Sequence, residues 1–225
     1  MTLDGTNTYL VGAEPATAID PGPADRGHVE RIKQAAGERG GIGQVLLTHS
    51  HDDHAGGVEL LGLEPTRLGN GESSGPLKAL ATPGHAQDHV CFLLETGDVL
   101  ACFSGDLVLG EGYSFVPPRE HGGSLGDYLN SLRRLKALEP DLLHPGHGPR
   151  ISDPATVIED YIGHRLERER RLLAALERGE RSRALLLAEV WEDVPAELRG
   201  AAAVVMQAHL EKLEAEGRLP PDIKD

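Results

Sequence analysis

The run Thr48-His49-Ser50-His51-Asp52-Asp53-His54-Ala55-Gly56-Gly57 constrains this chain more than any other stretch. Three histidines and two aspartates fall within six consecutive residues, directly after the apolar triplet Val45-Leu46-Leu47. The triplet reads as a buried strand, and the glycine pair that follows the histidines opens toward a short helix. His49 and His51 lie two apart, so an extended backbone points both imidazoles to one side. A turn then brings Asp53 and His54 round to a second position close by. Imidazole and carboxylate together form the donor set for zinc, with iron and manganese as competitors. A solvated polar loop is the bland alternative, and five potential ligands in six positions speak against it.

The pattern His-x-His-x-Asp-His resembles that of the metallo-β-lactamase fold superfamily, a group of binuclear metallohydrolases. The resemblance implies an αββα sandwich of the α/β class. It also implies a third histidine, a bridging aspartate and a last histidine, each at a strand end. Thr82-Pro83-Gly84-His85, Phe103-Ser104-Gly105-Asp106 and Pro145-Gly146-His147-Gly148 supply them in that order. Each of these ligands abuts glycine, which lets the backbone turn sharply beside a metal. On this resemblance His49, His51 and His85 hold one divalent ion, Asp53, His54 and His147 hold a second, and Asp106 bridges the two. Zinc is the expected metal, with manganese or iron as alternatives.

Composition bounds the partners. The 225 residues suit one domain with a small appendage, and 39% hydrophobic with 26% charged side chains is ordinary for a globular chain. No apolar run approaches the roughly 20 residues needed to cross a membrane, and no signal peptide is legible, so a cytoplasmic protein without membrane contact is expected. The formal net charge of −14 disfavours stable attachment to nucleic acid through phosphates. Cys91 and Cys102 are too few for a disulfide framework; they are expected as buried free thiols facing each other across a hairpin turning at Glu95-Thr96-Gly97-Asp98.

Two strands, 6–11 and 17–19, open the chain, and Gly-Thr-Asn-Thr-Tyr-Leu-Val-Gly at 5–12 resembles the opening of the subfamily containing β-lactamase-like protein 2. Asp20 resembles that family's buried carboxylate behind the metal loop, although a plain turn aspartate fits the sequence nearly as well. Helical spacing follows over 28–39 and strand 45–48 leads into the metal loop. Residues 62–80 show no secure period. Short strands return at 79–82, 89–95 and 99–104. His89, four residues beyond His85, is expected to support rather than ligate, and Asp52 is expected at the surface. The Gly/Pro-rich loop after Asp106 is expected to line a substrate pocket, with Tyr113 and His121 as exposed loop residues able to donate protons. Ser124 caps an amphipathic helix. The strand at 141–144 delivers His147, and His144 reads as wall.

Asp153-Pro154 marks a new start, an N-cap followed by proline at the first helical position. We therefore divide the chain into a metallo-β-lactamase-like domain, 1–153, and a linker helix with a small winged-helix-like helical domain, 154–225. Helices are expected over 155–178, 184–191 and 195–216, the last presenting Ala202, Val205, Met206, His209, Leu210 and Leu213 to a core. The stretch Tyr161–Glu169 resembles the linker helix of the same subfamily. Residues 156–225 hold 11 basic against 15 acidic side chains, so this module is expected to pack rather than bind DNA. Arg165 and His164 could reach an anionic substrate over the site.

The resemblance implies hydrolysis by a metal-bridging hydroxide formed from a water whose pKa falls toward neutrality, with Asp53 orienting it and passing its proton to the leaving group. Single-stranded RNA and small thioesters or esters are the substrates known among such relatives, and homodimers are common. β-Lactams fit least, since Asp106 stands where many true lactamases place cysteine. A mononuclear iron oxygenase of the same fold, of the persulfide dioxygenase type, is the competing class, and a non-catalytic binding protein is a third.

Overall fold

Side-chain alternation along β7 (Val90–Thr96) sets the layers. Phe92 and Leu94 point one way and meet Ile19, Leu46, Leu77, Ala79 and Phe103. Cys91 and Leu93 point the other way, into a core shared with Leu125, Tyr128, Leu129 and Leu132. A strand buried on both faces needs a partner layer on each. The computed structural model describes residues 5–224 and supplies both layers. One sheet has the order β1 (Tyr9–Val11), β2 (Ala16–Ile19), β3 (Ile42–Leu46), β4 (Pro65–Thr66). The other runs β5 (Ser73–Ser74), β6 (Leu77–Ala81), β7, β8 (Val99–Gly105), β9 (Leu142–Pro145). The two sheets stack through the Phe92 cluster, which buries side chains from both.

Helices close the outer faces. α1 (Arg26–Gly37) is capped by Asp25, which accepts from His28 N–H, and buries Val29, Ile32 and Ala36. It joins β2 to its parallel neighbour β3. Two short helical turns, α2 (Asp52–Ala55) and α3 (Val58–Leu61), follow. α4 (Leu125–Lys136) is capped by Ser124 and covers the second sheet with Leu125, Leu129, Leu132 and Leu135. The result is the αββα sandwich, a mixed α/β fold. Among the described residues no helix is long and apolar enough to cross a membrane.

α5 (Pro154–Glu177) starts at the expected proline, with Asp153 accepting from Thr156 N–H. Its first half packs Ile158, Tyr161 and Ile162 against the sandwich. Its second half places Leu172, Ala175 and Leu176 in a separate cluster with α6 (Arg183–Val190) and α7 (Arg199–Ala215).

Three expectations needed correction. The helix expected over 195–216 is split into a 3-10 turn at Ala196–Leu198 followed by α7. Residues 62–80 hold β4, β5 and the start of β6; paired segments of two residues are too short to show a period. Cys91 and Cys102 are buried free thiols, but they sit diagonally rather than opposite. The Thr96–Val99 closing pair sets a register in which Cys102 meets Leu93.

Candidate metal centre

Every residue of the expected ligand set follows the carboxyl end of a strand. His49, His51, Asp53 and His54 come after β3, His85 after β6, Asp106 at the end of β8, and His147 after β9. The structure brings all seven together. His51 Nδ1 lies 2.9 Å from His49 Nε2 and 3.0 Å from His85 Nε2. His54 Nε2 lies 3.2 Å from His147 Nε2, which is 3.3 Å from Asp53 Oδ2. Two of the sets able to surround a cation are therefore His49–His51–His85 and Asp53–His54–His147, and a third, His49–His54–Asp106, overlaps both. Asp106 faces each side: Oδ1 is 3.3 Å from His54 Nε2 and 3.5 Å from His147 Nε2, and Oδ2 is 3.6 Å from His85 Nε2.

The outer ring nitrogens fix which atoms point inward. His54 Nδ1 is 2.9 Å from Asp20 Oδ2, His85 Nδ1 2.7 Å from the Phe115 carbonyl, and His147 Nδ1 2.9 Å from the Gly5 carbonyl. Each partner is purely an acceptor, so Nδ1 carries the proton and the Nε2 lone pair faces the cluster. His49 Nδ1 is 3.1 Å from Thr48 Oγ1. Asp20 is buried and carries this arrangement from behind. Its Oδ1 accepts from Thr48 N–H at 2.7 Å, and Oδ2 accepts from the Thr48 hydroxyl at 2.6 Å as well as from His54. The plain-turn reading of Asp20 fails on these contacts. Its backbone sits at φ 50, a left-handed geometry that aspartate tolerates better than most residues.

Electrostatics agree with a cation site. Burial, then the surrounding imidazoles, hold His49 far below the ordinary histidine range. Burial opposes protonation of His54 too, yet Asp106 and Asp20 outweigh it and raise its pKa to about 10, so without metal the ring is cationic and a bound ion would take the place of the Nε2 proton. Burial would raise the Asp106 carboxyl, but His54, His85 and His147 pull it well below the usual range. Asp106 Oδ1 is buried with no hydrogen-bond partner. Converging lone pairs, ionised carboxylates and an orphaned carboxylate oxygen are what divalent ions satisfy, so the residues present fit the metals the resemblance implied.

Neighbouring glycines leave room for this crowding. A Cβ on Gly146 would stand 2.6 Å from His54 Cε1 and 2.7 Å from Asp106 Oδ1. Gly105, at φ 47, would place one 2.7 Å from His89 Nε2 and from Thr48 Oγ1. His89 supports rather than ligates: its Nε2 accepts from Asp106 N–H at 3.1 Å and its Nδ1 meets Thr82 Oγ1 at 2.8 Å. Burial takes its pKa to about 3. Asp52 is exposed and joins none of the sets, and His144 stacks on Phe103 with centroids 5.1 Å apart.

A cavity of about 850 Å³ opens from His51, Asp53, His85 and Asp106. Leu109, Tyr113, Ser114 and Phe115 line it from the loop after β8, while His121 lies outside it and is largely exposed. The pocket-lining part of that loop is thus residues 109–115 rather than 117–123. His164 and Arg165 also line the cavity; His164 stacks on Tyr113 at 3.8 Å, and Tyr113 donates to Asp160 Oδ2 at 2.6 Å. Sequence reasoning missed the carbonyls of Phe115 and Gly5, which carry no side-chain signature. Val205, expected in a core, packs against the cluster around Leu172 and Leu213 and lines the cavity as well.

An imidazole–carboxylate nest at the strand ends of an αββα sandwich, opening into a cavity, defines a metal-dependent hydrolase. The chain belongs to the Metallo-beta-lactamase superfamily, which residues 1–65 and 63–147 match, and residues 185–219 match the beta-lactamase associated winged helix domain. The lactamase-like protein adaB of Aspergillus niger is 37% identical over 95% of this chain and 76% of its own length. A beta-lactamase-like protein 2 homolog of Drosophila melanogaster is 32% identical over 97% of this chain and 85% of its own. Among solved structures, the metallo-beta-lactamase family protein TTHA1429 of Thermus thermophilus superposes with a TM-score of 0.77 at 24% identity, covering 94% of this chain and 89% of that one, a likeness of fold.

Proposed function

We propose that this protein is a binuclear hydrolase of acyl thioesters or esters, with His49, His51 and His85 holding one divalent ion, Asp53, His54 and His147 the other, and Asp106 shared. The observation that carries the reading is the placement of Asp106, whose two oxygens face the two histidine groups separately. Zinc suits the donor set, with manganese and iron next. TTHA1623, 27% identical over 67% of this chain and 91% of its own with a TM-score of 0.55, was solved in a di-iron-bound form, which keeps iron in the comparison. A thioesterase of Emericella nidulans, pkgB, is 38% identical over 78% of this chain and 55% of its own length, which supports acyl transfer to water.

Held by these residues, two divalent ions would supply Lewis acidity and would lower the pKa of a water toward neutrality, from about 16 in bulk. The chain's own residues do the rest. Asp53 is the more open of the two carboxylates in the cluster, with its side chain 31% exposed against 11% for Asp106, so it reaches the cavity. It orients the attacking water and carries a proton to the leaving group; its pKa is held low chiefly by His147, which keeps it ionised to accept that proton. Arg165, buried, lines the same cavity and adds positive charge to its wall. Water oxygen bonds to the acyl carbon, the carbon–sulfur or carbon–oxygen bond breaks, and acid plus thiol or alcohol leave.

Elemental analysis of protein purified without chelator should give about two metals per chain. A thioester should be turned over faster than a generic phosphodiester or a single-stranded RNA. One iron per chain with oxygen consumption would replace the hydrolase by an oxygenase.

A further inference from the structure

The chemistry above uses one end of the cavity and leaves the other unexplained. That other end is built by the winged-helix module: Trp191, Val194, Leu198, Ala202 and Val205 form an apolar wall facing the metal-ligand set. Phe115 and Leu109 continue the apolar surface toward Asp106. Charge is sparse along the path. Arg168 is neutralised by a two-pronged contact with Asp193, both bonds 2.7 Å. Arg165 gives a hydrogen bond to the Ser114 carbonyl and, among the described residues, has no carboxylate partner. Arg168 and Asp193 cancel each other, so beyond the metal-ligand set the cavity offers a polynucleotide a single unpaired cation, Arg165, too few for a run of phosphates. A pocket with one polar pole, one unpaired cation and an apolar far wall fits an organic group of drug-like size.

We propose that the cavity takes a medium-chain or aromatic acyl group, its apolar body lying on Trp191, Val194, Leu198, Ala202 and Val205 and its carbonyl carbon at the Asp53–Asp106 end. The winged-helix module is then the element that selects the acyl group. This inference rests on the hydrolase reading for the reaction but not for the binding.

Trp191 is the only tryptophan in the chain, so its fluorescence reports occupancy whether or not turnover occurs. The probes are N-acetylcysteamine thioesters of straight-chain acids from two to twelve carbons, and the octyl thioether of N-acetylcysteamine as a ligand that cannot be hydrolysed. In the wild-type protein kcat/KM rises about fourfold per added methylene until the wall is covered, the equivalent of ~0.8 kcal/mol per buried CH2. The thioether shifts Trp191 emission saturably, with or without metal. Val205→Asp cuts the eight-carbon to two-carbon ratio of kcat/KM at least tenfold, mainly through KM, and weakens the thioether response in parallel. Ala201 is exposed at the cavity edge, so Ala201→Phe gives a second variant that keeps the fold if Val205→Asp does not melt cooperatively; it should shorten the longest chain accepted.

A Trp191 response without turnover of any thioester would sink the hydrolase reading and leave the acyl site standing. Turnover of the acetyl thioester with no dependence on chain length and no Trp191 response would overturn the acyl site alone. Displacement of the thioether by single-stranded RNA oligomers that are then cleaved would assign the cavity to nucleic acid and overturn it too.

Discussion

Replacing Asp20 by asparagine tests the scaffold of the site with little change of shape. Asparagine tolerates the left-handed backbone at φ 50, so strain is not added. The carboxylate receives three hydrogen bonds, two from Thr48 and one from His54. An amide keeps one oxygen for Thr48 N–H and turns an NH2 group toward the Thr48 hydroxyl and His54 Nδ1. His54 then has to accept at Nδ1, which moves its proton to Nε2, the atom 3.2 Å from His147 Nε2 and 3.3 Å from Asp106 Oδ1. Losing two bonds to a buried charge, at roughly 1.5–3 kcal/mol each, puts the stability cost of the metal-free protein near 3 kcal/mol once Thr48 finds other partners. Inverting the tautomer of a ligand should weaken metal binding by 10- to 100-fold or more. Urea denaturation of chelator-treated protein measures the first effect, and competition with a chromophoric chelator measures the second. A variant that binds metal as tightly as wild type and unfolds within about 0.5 kcal/mol of it would refute the claim that Asp20 sets the direction of His54.

Asp106→Ala should lower turnover by on the order of a thousandfold, a far larger effect than its effect on stability; near-normal turnover with two bound metals would contradict its shared role. Gly146→Ala should displace His54 and Asp106, since a Cβ would stand 2.6 and 2.7 Å from them, reducing metal stoichiometry at constant secondary structure, as elemental analysis and circular dichroism would show. His209→Leu should reduce acid sensitivity. Burial, then Arg165, Lys212, His164 and Arg168, hold His209 neutral in the folded state, and neither ring nitrogen has a hydrogen-bond partner. The folded state therefore binds fewer protons than the unfolded chain below pH ~6.5, and stability falls with pH; at pH 5.5 this one residue costs about 1.4 kcal/mol. The variant should lose that much less stability than wild type between pH 7.5 and 5.5, read from urea midpoints, and an equal loss in both proteins would count against it.

Local density made the cluster readable. His49 to His54 are adjacent in sequence, and glycine marks each distant member, so the seven side chains could be named before any strand was placed. What holds them could not. His85 and His147 lean on carbonyls of Phe115 and Gly5, and any residue type provides a carbonyl. The αββα layers were implied by the family resemblance, whereas β4 and β5, of two residues each, are too short to leave any period. On α7 the helical period revealed an apolar face but not what lies opposite each position. Met206 and Leu210 lie within a core, and Val205 packs against its edge while also lining the cavity. Arg165 was confounded by its charged neighbours. Glu167 pairs with Arg170 on the exposed face, and the buried face of the same helix keeps Arg165 apart from them.

The 24 residues of α5 form one uninterrupted rod rooted at both ends. Each α-helical residue adds 1.5 Å and a turn of about 100°. Inserting or deleting one position between Tyr161 and Leu172 would swing α6 and α7 to another compass bearing while the sandwich stayed put, and the wall that Val205 belongs to would face open solvent. Whatever acyl group that wall selects, the number of residues in the span is fixed by the bearing it sets.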